Sequence, residues 1–226
     1  MQDEILKHTE KIYKTVKKPG HSFREKLQEI GIEIFIIVFA VSLSIWLHSW
    51  SEHNHQRAEA GEFLQDLQDD LSKDLVNMKS KKQSLDTILR SCSEIISATD
   101  KGITPQSVSL YFNLNTFKAN NGNYEGFKSS GKIGYIENKE LKKNILSYYQ
   151  TDLPNLNDVD KYQYNKHLEV WELINSLDSS KLFKDPVFRS KIIVDGQITQ
   201  ALIKVYEMTI EKATLINNEI GKEGRQ

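Results

Sequence analysis

An ionisable residue inside a long apolar segment is the first feature of this sequence that can carry chemistry. Glu33 lies near the start of "IGIEIFIIVFAVSLSIWLHSW", residues 30–50. Ionisable side chains in membrane segments are rare because lipid solvates charge poorly, and they often mark ion pathways. The alternative is that Glu33 lies at the headgroup region or pairs with another helix, with Arg24 and Lys26 close enough in sequence to hold its charge. We expect this second role.

Three residues after the apolar segment have metal-ligand chemistry. His48, Glu52 and His55 are spaced at i, i+4 and i+7, which places them on one helical face. Imidazole and carboxylate groups at this spacing can hold Zn²⁺. The "HExxH" pattern of a zinc protease is absent. These residues are a candidate metal site, and the favoured alternative is a set of polar interfacial residues around Trp50.

A glycine-rich stretch, "NNGNYEGFKSSGKIGYIENKE", offers a candidate interaction surface. It has neither the spacing of a phosphate-binding loop nor a strand pattern before it. Its aromatic and basic side chains can contact a partner or ligand. A structured connector between helices is the favoured alternative. The candidate contact residues are Tyr124, Phe127, Lys128 and Tyr135.

Composition argues against most catalytic and nucleic-acid-binding classes. The single cysteine, Cys92, excludes a disulfide within the chain and any site built from several thiolates of one chain. A net charge of −1 gives no basic surface for nucleic acid. We find no Ser-His-Asp set, no pair of catalytic carboxylates and no nucleotide motif. The sequence therefore predicts a protein that is not an enzyme, with no cofactor and no nucleic-acid partner.

Charge asymmetry predicts how the apolar segment is oriented. Residues 1–29 hold seven basic side chains and five acidic ones, whereas residues 51–70 hold only Arg57 as a basic residue. This bias places the N-terminus in the cytoplasm. A cleaved signal peptide is the alternative, but the polar lead is long and no small-residue cleavage site follows. Trp46 and Trp50 at the predicted exit favour a retained anchor.

The polar lead contains an amphipathic segment of its own. In "DEILKHTEKIYKTVKK" the apolar residues fall on one helical face, and most of the lysines fall elsewhere. Such a helix can lie on an anionic inner leaflet. A short solvated cytoplasmic helix is an equal alternative. Pro19 and Gly20 end this segment, and Ser22 with Glu25 forms a capping box for the membrane helix.

The rest of the chain reads as helices. Leu64, Leu71, Met78, Leu85 and Cys92 recur every seven residues in a stripe that ends before Gly102. The stripe is wider than a two-stranded coiled-coil seam and is interrupted by three charged residues, so a helical bundle fits better. The interrupting residues are Asp74, Lys81 and Lys82. We predict further helices, separated by a loop over residues 118–134 and by Pro154, at residues 105–114, 138–150, 157–177 and 186–220.

Residues spaced by three, four and seven predict one apolar face for the last helix. No strand pattern is defensible anywhere in the chain. The apolar residues of this face are Val187, Val194, Ile198, Ala201, Val205, Met208 and Leu215.

Several blocks together resemble a known family. "EIFIIVFAVSLSIWL", "WSE", "EFLQDLQDDLSKDL" and "YEGFKSSGKIGYIENKELKKNILSYY" occur in this order. The chain resembles an uncharacterised family of single-pass membrane proteins common in Bacteroidetes over roughly residues 28–220. That resemblance implies a bacterial membrane-anchored helical protein with no assigned activity. The family tends toward asparagine-rich residues just outside the membrane, where this chain has "HSWSEHNH".

These inferences define one architecture: an all-α protein with a single transmembrane helix followed by an extracytoplasmic helical bundle. Residues 1–21 form a cytoplasmic amphipathic segment, 22–50 the anchor helix and 51–226 the outer domain. We expect a bacterial inner-membrane protein with a periplasmic bundle. Its partners are the bilayer and another membrane protein or a second copy. The expected function is binding or scaffolding, with possible sensing; the alternative is an accessory subunit of an ion-driven complex that uses Glu33.

Overall fold

A computed structural model describes residues 2–17, 23–102, 115–176 and 178–223 of the chain. All regular structure in these residues is helical, as the sequence predicted. The predicted short helix at residues 105–114 and the capping box at Ser22 lie outside the described residues. The chain divides into two compact units, Met1–Ala58 and Glu59–Gln226.

The first unit contains helix α1, Gln2–Lys17, and the first part of helix α2, Phe23–Asp100. Helix α2 contains no proline, and its glycines, Gly31 and Gly61, do not break it. It is the one helix among the described residues that is long and apolar enough to cross a membrane, by length and composition. Only 6% of its most apolar 18-residue window is buried. An apolar surface this exposed is suited to lipid rather than water.

The second unit is built around the remainder of α2. The sevenfold stripe from Leu64 to Cys92 is buried throughout, which confirms its prediction as a core face. The shorter elements are α3, Gly122–Ser129, a 3₁₀ turn at Lys132–Tyr135, α4, Lys139–Ser147, and α6, Ser179–Leu182. The long elements are α5, Leu153–Ser176, and α7, Pro186–Glu223.

Helix α7 packs beside α2 in the opposite direction. Gln68 Nε2 donates to the Asn217 carbonyl at 3.1 Å, and Arg189 contacts Asp100 at 2.6 Å. Between these ends, a Cβ at Gly196 would lie 3.5 Å from Cys92 Cβ, at ordinary van der Waals distance, so the two helices are in direct contact there. Asp185 Oδ1 accepts from the Val187 amide at 2.8 Å and caps the start of α7, as the Asp-Pro pair predicted.

The face of α7 that we assigned from the sequence is the wrong one. Val187, Val194, Met208 and Leu215 are exposed. The helix carries a second apolar stripe, and the larger side chains of that stripe fill the core. The buried apolar residues of α7 are Phe188, Ile192, Leu202, Ile203, Tyr206, Ala213, Ile216 and Ile220.

Two local predictions also need correction. The stretch predicted as loop contains α3 and a 3₁₀ turn, which are joined through Gly131 at φ 78°. Pro154 does not end a helix. The chain continues from α4 through a π-helical segment, Tyr148–Asp152, into α5. The π segment widens the helical turn just before the proline. The wider turn leaves room for the proline ring beside the preceding carbonyl and accommodates the missing amide donor.

Candidate functional site

Glu33 lies in a charge cluster with two residues of α1. Lys11 Nζ lies 2.7 Å from Glu33 Oε1, and His8 Nδ1 is in hydrogen-bond contact with Oε2. His8 and Lys11 are three residues apart, so they share one face of α1. The hydrogen bond to Glu33 raises the pKa of Lys11. Both carboxylate oxygens of Glu33 are therefore engaged, and the residue is only 6% exposed.

The cationic partners of Glu33 come from a different place than the sequence indicated. We expected Arg24 or Lys26, which are close along the chain, but the described contacts are made from 25 and 22 positions upstream. The available signal was the three-residue spacing of His8 and Lys11 on an amphipathic helix. This signal was insufficient because the spacing within one helix does not show which residues of another helix it contacts.

The structure does not assemble His48, Glu52 and His55 into a metal site. Among the described residues there is no group of three or more histidine, cysteine or acidic side chains placed to hold a metal ion. Glu52 Oε1 instead accepts a hydrogen bond from Gln56 Nε2 at 2.9 Å, one turn along α2. The three residues do share one helical face, but a shared face alone does not bring their side chains together around a metal ion.

The predicted interaction surface around α3 is largely core. Tyr124 is fully buried, its ring stacks on Tyr149 with centroids 4.2 Å apart, and its hydroxyl accepts from Gln150 Nε2 at 3.0 Å. Phe127 stacks on Phe63 with centroids 3.9 Å apart. Tyr124 and Phe127 are thereby corrected from surface to packing residues, which supports the connector interpretation.

Of the same predicted set, Lys128 and Tyr135 keep contact with solvent. Lys128 is exposed, and its ammonium lies 5.6 Å from the centre of the Tyr124 ring. Tyr135 is half-buried at the end of the 3₁₀ turn. Two such residues do not make an aromatic binding surface, because the rings that would anchor a partner are already packed.

Replacing Tyr124 with phenylalanine tests the assignment of its hydroxyl group to the packed interior. We expect the free energy of unfolding to fall by about 1 kcal/mol, because the Gln150 amide loses its buried hydroxyl partner. Urea unfolding of the full-length protein in mild detergent, followed by circular dichroism, measures this. Lys128→Ala is the matched control on the same helix and is expected to change little. Equal effects of the two substitutions would contradict the packing assignment.

A buried polar network joins the three long helices of the second unit. Asp195 of α7 is fully buried, and its Oδ2 lies 2.7 Å from Nδ1 of His167 on α5. Gln163 Nε2 lies 3.3 Å from Asp195 Oδ1 and donates to Thr199 at 3.1 Å. Cys92 Sγ of α2 is 3.8 Å from Asp195 Oδ2. The acid is thus the centre of a set of donors from neighbouring helices.

This arrangement does not make Cys92 a nucleophile. Burial, followed by the charge of Asp195, raises the pKa of the thiol to about 12. A reactive cysteine needs a lowered pKa so that thiolate is present at neutral pH. Nδ1 of His167 is hydrogen-bonded to Asp195. The chemistry that the network supports is the joining of helices.

A second set of buried charges holds the irregular segment before α3. Lys81 Nζ donates to the Asn115 carbonyl and lies 3.8 Å from Asp160 Oδ1, while Asp160 Oδ2 accepts from the Phe117 amide at 2.7 Å. Asp74 accepts from the backbone and side-chain amides of Asn120 at 3.1 and 2.6 Å. Backbone groups outside regular structure need such partners when they are buried.

These contacts explain two of the charges that interrupt the apolar stripe of α2. In the sequence, Asp74 and Lys81 appeared to weaken the core face. They are buried because they bind the chain at residues 115–120. Lys82, the third interruption, points to the surface and contacts Asp86 and Glu207, each at 3.2 Å. A charge at a core position was a usable signal for a buried polar contact, but its partner was not identifiable from spacing.

The pH dependence of folding should report on Asp74. Burial raises its pKa, in opposition to the hydrogen bonds from Asn120, which lower it. A raised pKa in the folded state contributes stability that is complete below the ordinary value of about 4 and is lost as the pH rises through the raised value. We therefore expect Asp74→Asn to lose less stability than the natural protein between pH 4 and 7.

Urea unfolding at several pH values within this range measures the difference. Asparagine keeps an acceptor for both Asn120 donors, so the variant should fold. A difference between the natural protein and the variant that stays constant with pH would contradict the assignment. Asp69→Asn is the matched control, since Asp69 is an exposed acid on the same helix.

Comparison with known proteins shows the family of this chain. Residues 33–171 match the model of a family described as a family of unknown function (DUF6090). The matched range begins at Glu33 and ends within α5, so α1 and α7 lie outside it. No curated protein and no solved structure matches the chain.

Proposed function

We propose that this chain, which belongs to the DUF6090 family of unknown function, is a membrane-anchored, non-catalytic protein that presents a helical bundle to a partner. In this proposal it is a single-pass protein of a bacterial inner membrane. Its N-terminus is cytoplasmic and its bundle periplasmic. The partner is another membrane protein or a second copy of the chain.

The observation that carries this proposal is the continuity of helix α2. The same helix holds the exposed apolar window and supplies the buried sevenfold stripe of the bundle, with no proline between them. The apolar segment at residues 30–50 has 21 residues and is about 30 Å long as a helix, which fits the roughly 30 Å hydrocarbon core of a bilayer. An anchor that is also the central helix of the outer domain supports a role in holding that domain at the membrane.

The internal use of polar groups supports a non-catalytic role. The buried acids of the second unit bind backbone amides or side chains of neighbouring helices. The described cysteine has a raised pKa. These groups are engaged in holding the fold rather than directed at an open cleft, which is where reactive groups of an enzyme would lie.

The engagement of Glu33 weighs against the ion-driven alternative. An ion pathway needs a carboxylate that can bind and release its ion during each cycle. Here both oxygens contact cationic or hydrogen-bonding groups of the same chain. We therefore assign Glu33 the role of fastening α1 at the point where the apolar segment begins.

Affinity purification of the full-length protein from its native membrane in mild detergent, with native mass determination, tests the proposal. We expect a defined homo-oligomer or a stoichiometric complex, and the same species for Glu33→Gln. Glu29→Gln is the matched control, because Glu29 is exposed one turn earlier on α2. The proposal would be overturned by a polytopic ion-transporting partner that still co-purifies with Glu33→Gln but loses transport. Recovery of the chain only as a monomer would contradict the part of the proposal that assigns it a partner.

A further inference from the structure

Helix α1 has an exposed face directly opposite its contacts with Glu33. At 100° per residue, His8 and Lys11 point to one side of the helix, and Leu6 and Tyr13 to the other. Leu6 is 66% exposed and Tyr13 is 61% exposed. The two residues are seven positions apart, so they form one apolar ridge. Exposed apolar side chains on one face of an amphipathic helix are suited to the boundary between headgroups and acyl chains.

Basic side chains flank this ridge. Lys7 and Lys14 are exposed and follow Leu6 and Tyr13 directly in the sequence. Lys14 Nζ is 2.8 Å from Glu10, one turn earlier, in an exposed pair that leaves it accessible to other anions. An apolar ridge with lysines beside it is the pattern of a helix that lies in the headgroup region of an anionic bilayer.

The contact with Glu33 places this ridge beside the apolar window. Glu33 is followed immediately by a run of exposed apolar residues that includes Ile34, Phe35 and Ile36. A helix fastened to Glu33 is therefore held where the apolar segment begins, which is the headgroup level if that segment spans the bilayer.

We propose that α1 is a binding site for anionic phospholipid, lying on the leaflet that α2 enters with Leu6 and Tyr13 in the interface and Lys7 and Lys14 on the headgroup phosphates. This inference rests on the proposed membrane anchor. It assigns α1, which lies outside the residues matched by the family model, a function of its own. Glu33 then serves to hold the lipid-binding helix beside the span.

Amide hydrogen exchange of the full-length protein in lipid nanodiscs tests the site. One set of nanodiscs contains phosphatidylcholine alone, and the other contains phosphatidylcholine with phosphatidylglycerol. We expect the amides of α1 to exchange about tenfold more slowly in the anionic nanodiscs, since each lysine near an anionic surface adds attraction. The double substitution of Leu6→Ser with Tyr13→Ser should abolish this difference. Met208→Ser, a change at an exposed apolar residue of the bundle, should leave it intact.

The outcomes separate this inference from the proposed anchor. If the protein enters nanodiscs but α1 exchanges equally in both lipids, the lipid site is overturned and the anchor stands. The same conclusion follows if the double substitution leaves the protection unchanged. If the full-length protein does not enter nanodiscs at all, the anchor itself is overturned.

Discussion

Replacing Asp195 with alanine is expected to lower the free energy of unfolding of the full-length protein by about 2–4 kcal/mol, because buried polar groups left without a hydrogen-bond partner cost about 1–3 kcal/mol each. Asp195 is fully buried between three helices, and its two oxygens contact His167, Gln163 and Cys92. Alanine would leave a cavity in place of the carboxylate, and the polar groups around that cavity would lose their partner. Urea unfolding in mild detergent, followed by circular dichroism, measures the change.

Glu169→Ala is the matched control for Asp195→Ala, because it also removes one carboxyl group. Glu169 contacts Lys166 at 2.6 Å and Lys191 at 2.5 Å. The hydrogen bond from Lys166 and, to a smaller extent, that from Lys191 lower the pKa of Glu169 to about 2. The side chain of Glu169 is 37% exposed, so solvent screening makes its ion pairs contribute less to stability than buried contacts do. A loss at Asp195 no larger than at Glu169 would contradict a structural role for the buried network.

Replacing Phe188 with alanine is expected to lower the free energy of unfolding by about 3–5 kcal/mol, as for other buried aromatic residues. Phe188 is fully buried at the start of α7 and packs edge-on against Phe183 with centroids 5.8 Å apart. Alanine would lose the transfer free energy of the ring and leave a cavity. Thermal unfolding measures the change, since each kcal/mol shifts the midpoint by about 2–4 °C in a domain of this size.

Val187→Ala is the control for Phe188→Ala, since the neighbouring valine is 52% exposed. Its expected effect is a few tenths of a kcal/mol, as for exposed substitutions in general. The comparison decides directly which face of α7 enters the core. A larger loss at Val187 than at Phe188 would restore the face assigned from the sequence.

The sequence predicted the elements of this fold better than their faces. The all-α class, the sevenfold stripe of α2 and the start of α7 at Asp185-Pro186 followed from periodicity and capping, which are local properties. The core face of α7 did not. That helix carries two apolar stripes, and the choice between them depends on the shapes of α2 and α5. Side-chain size favoured Phe188, Tyr206 and Ile216, but spacing alone treated both stripes alike.

For the candidate sites, the sequence showed the positions of the residues but not their contacts with residues far away in the chain. The position of Glu33 in an apolar segment was evident from the sequence, whereas its contact with His8 and Lys11 depends on how α1 folds back. Asp74 and Lys81 were visible as charges within a core stripe. Their partners at residues 115–120 lie more than 30 positions away. Tyr124 appeared exposed because a glycine-rich stretch usually forms a surface loop, but here the stretch contains a packed helix.

Site-specific labelling with a membrane-impermeant maleimide tests the proposed anchor and its orientation most directly. Cys92 is buried, so the natural protein provides an unlabelled background. Met208 and Lys7 are exposed positions for single introduced cysteines, one in the bundle and one in α1. In spheroplasts of a bacterial host, we predict labelling of Met208→Cys and labelling of Lys7→Cys only after lysis. Labelling of Lys7→Cys in intact spheroplasts with Met208→Cys protected would contradict the account, as would a mature chain that lacks α1.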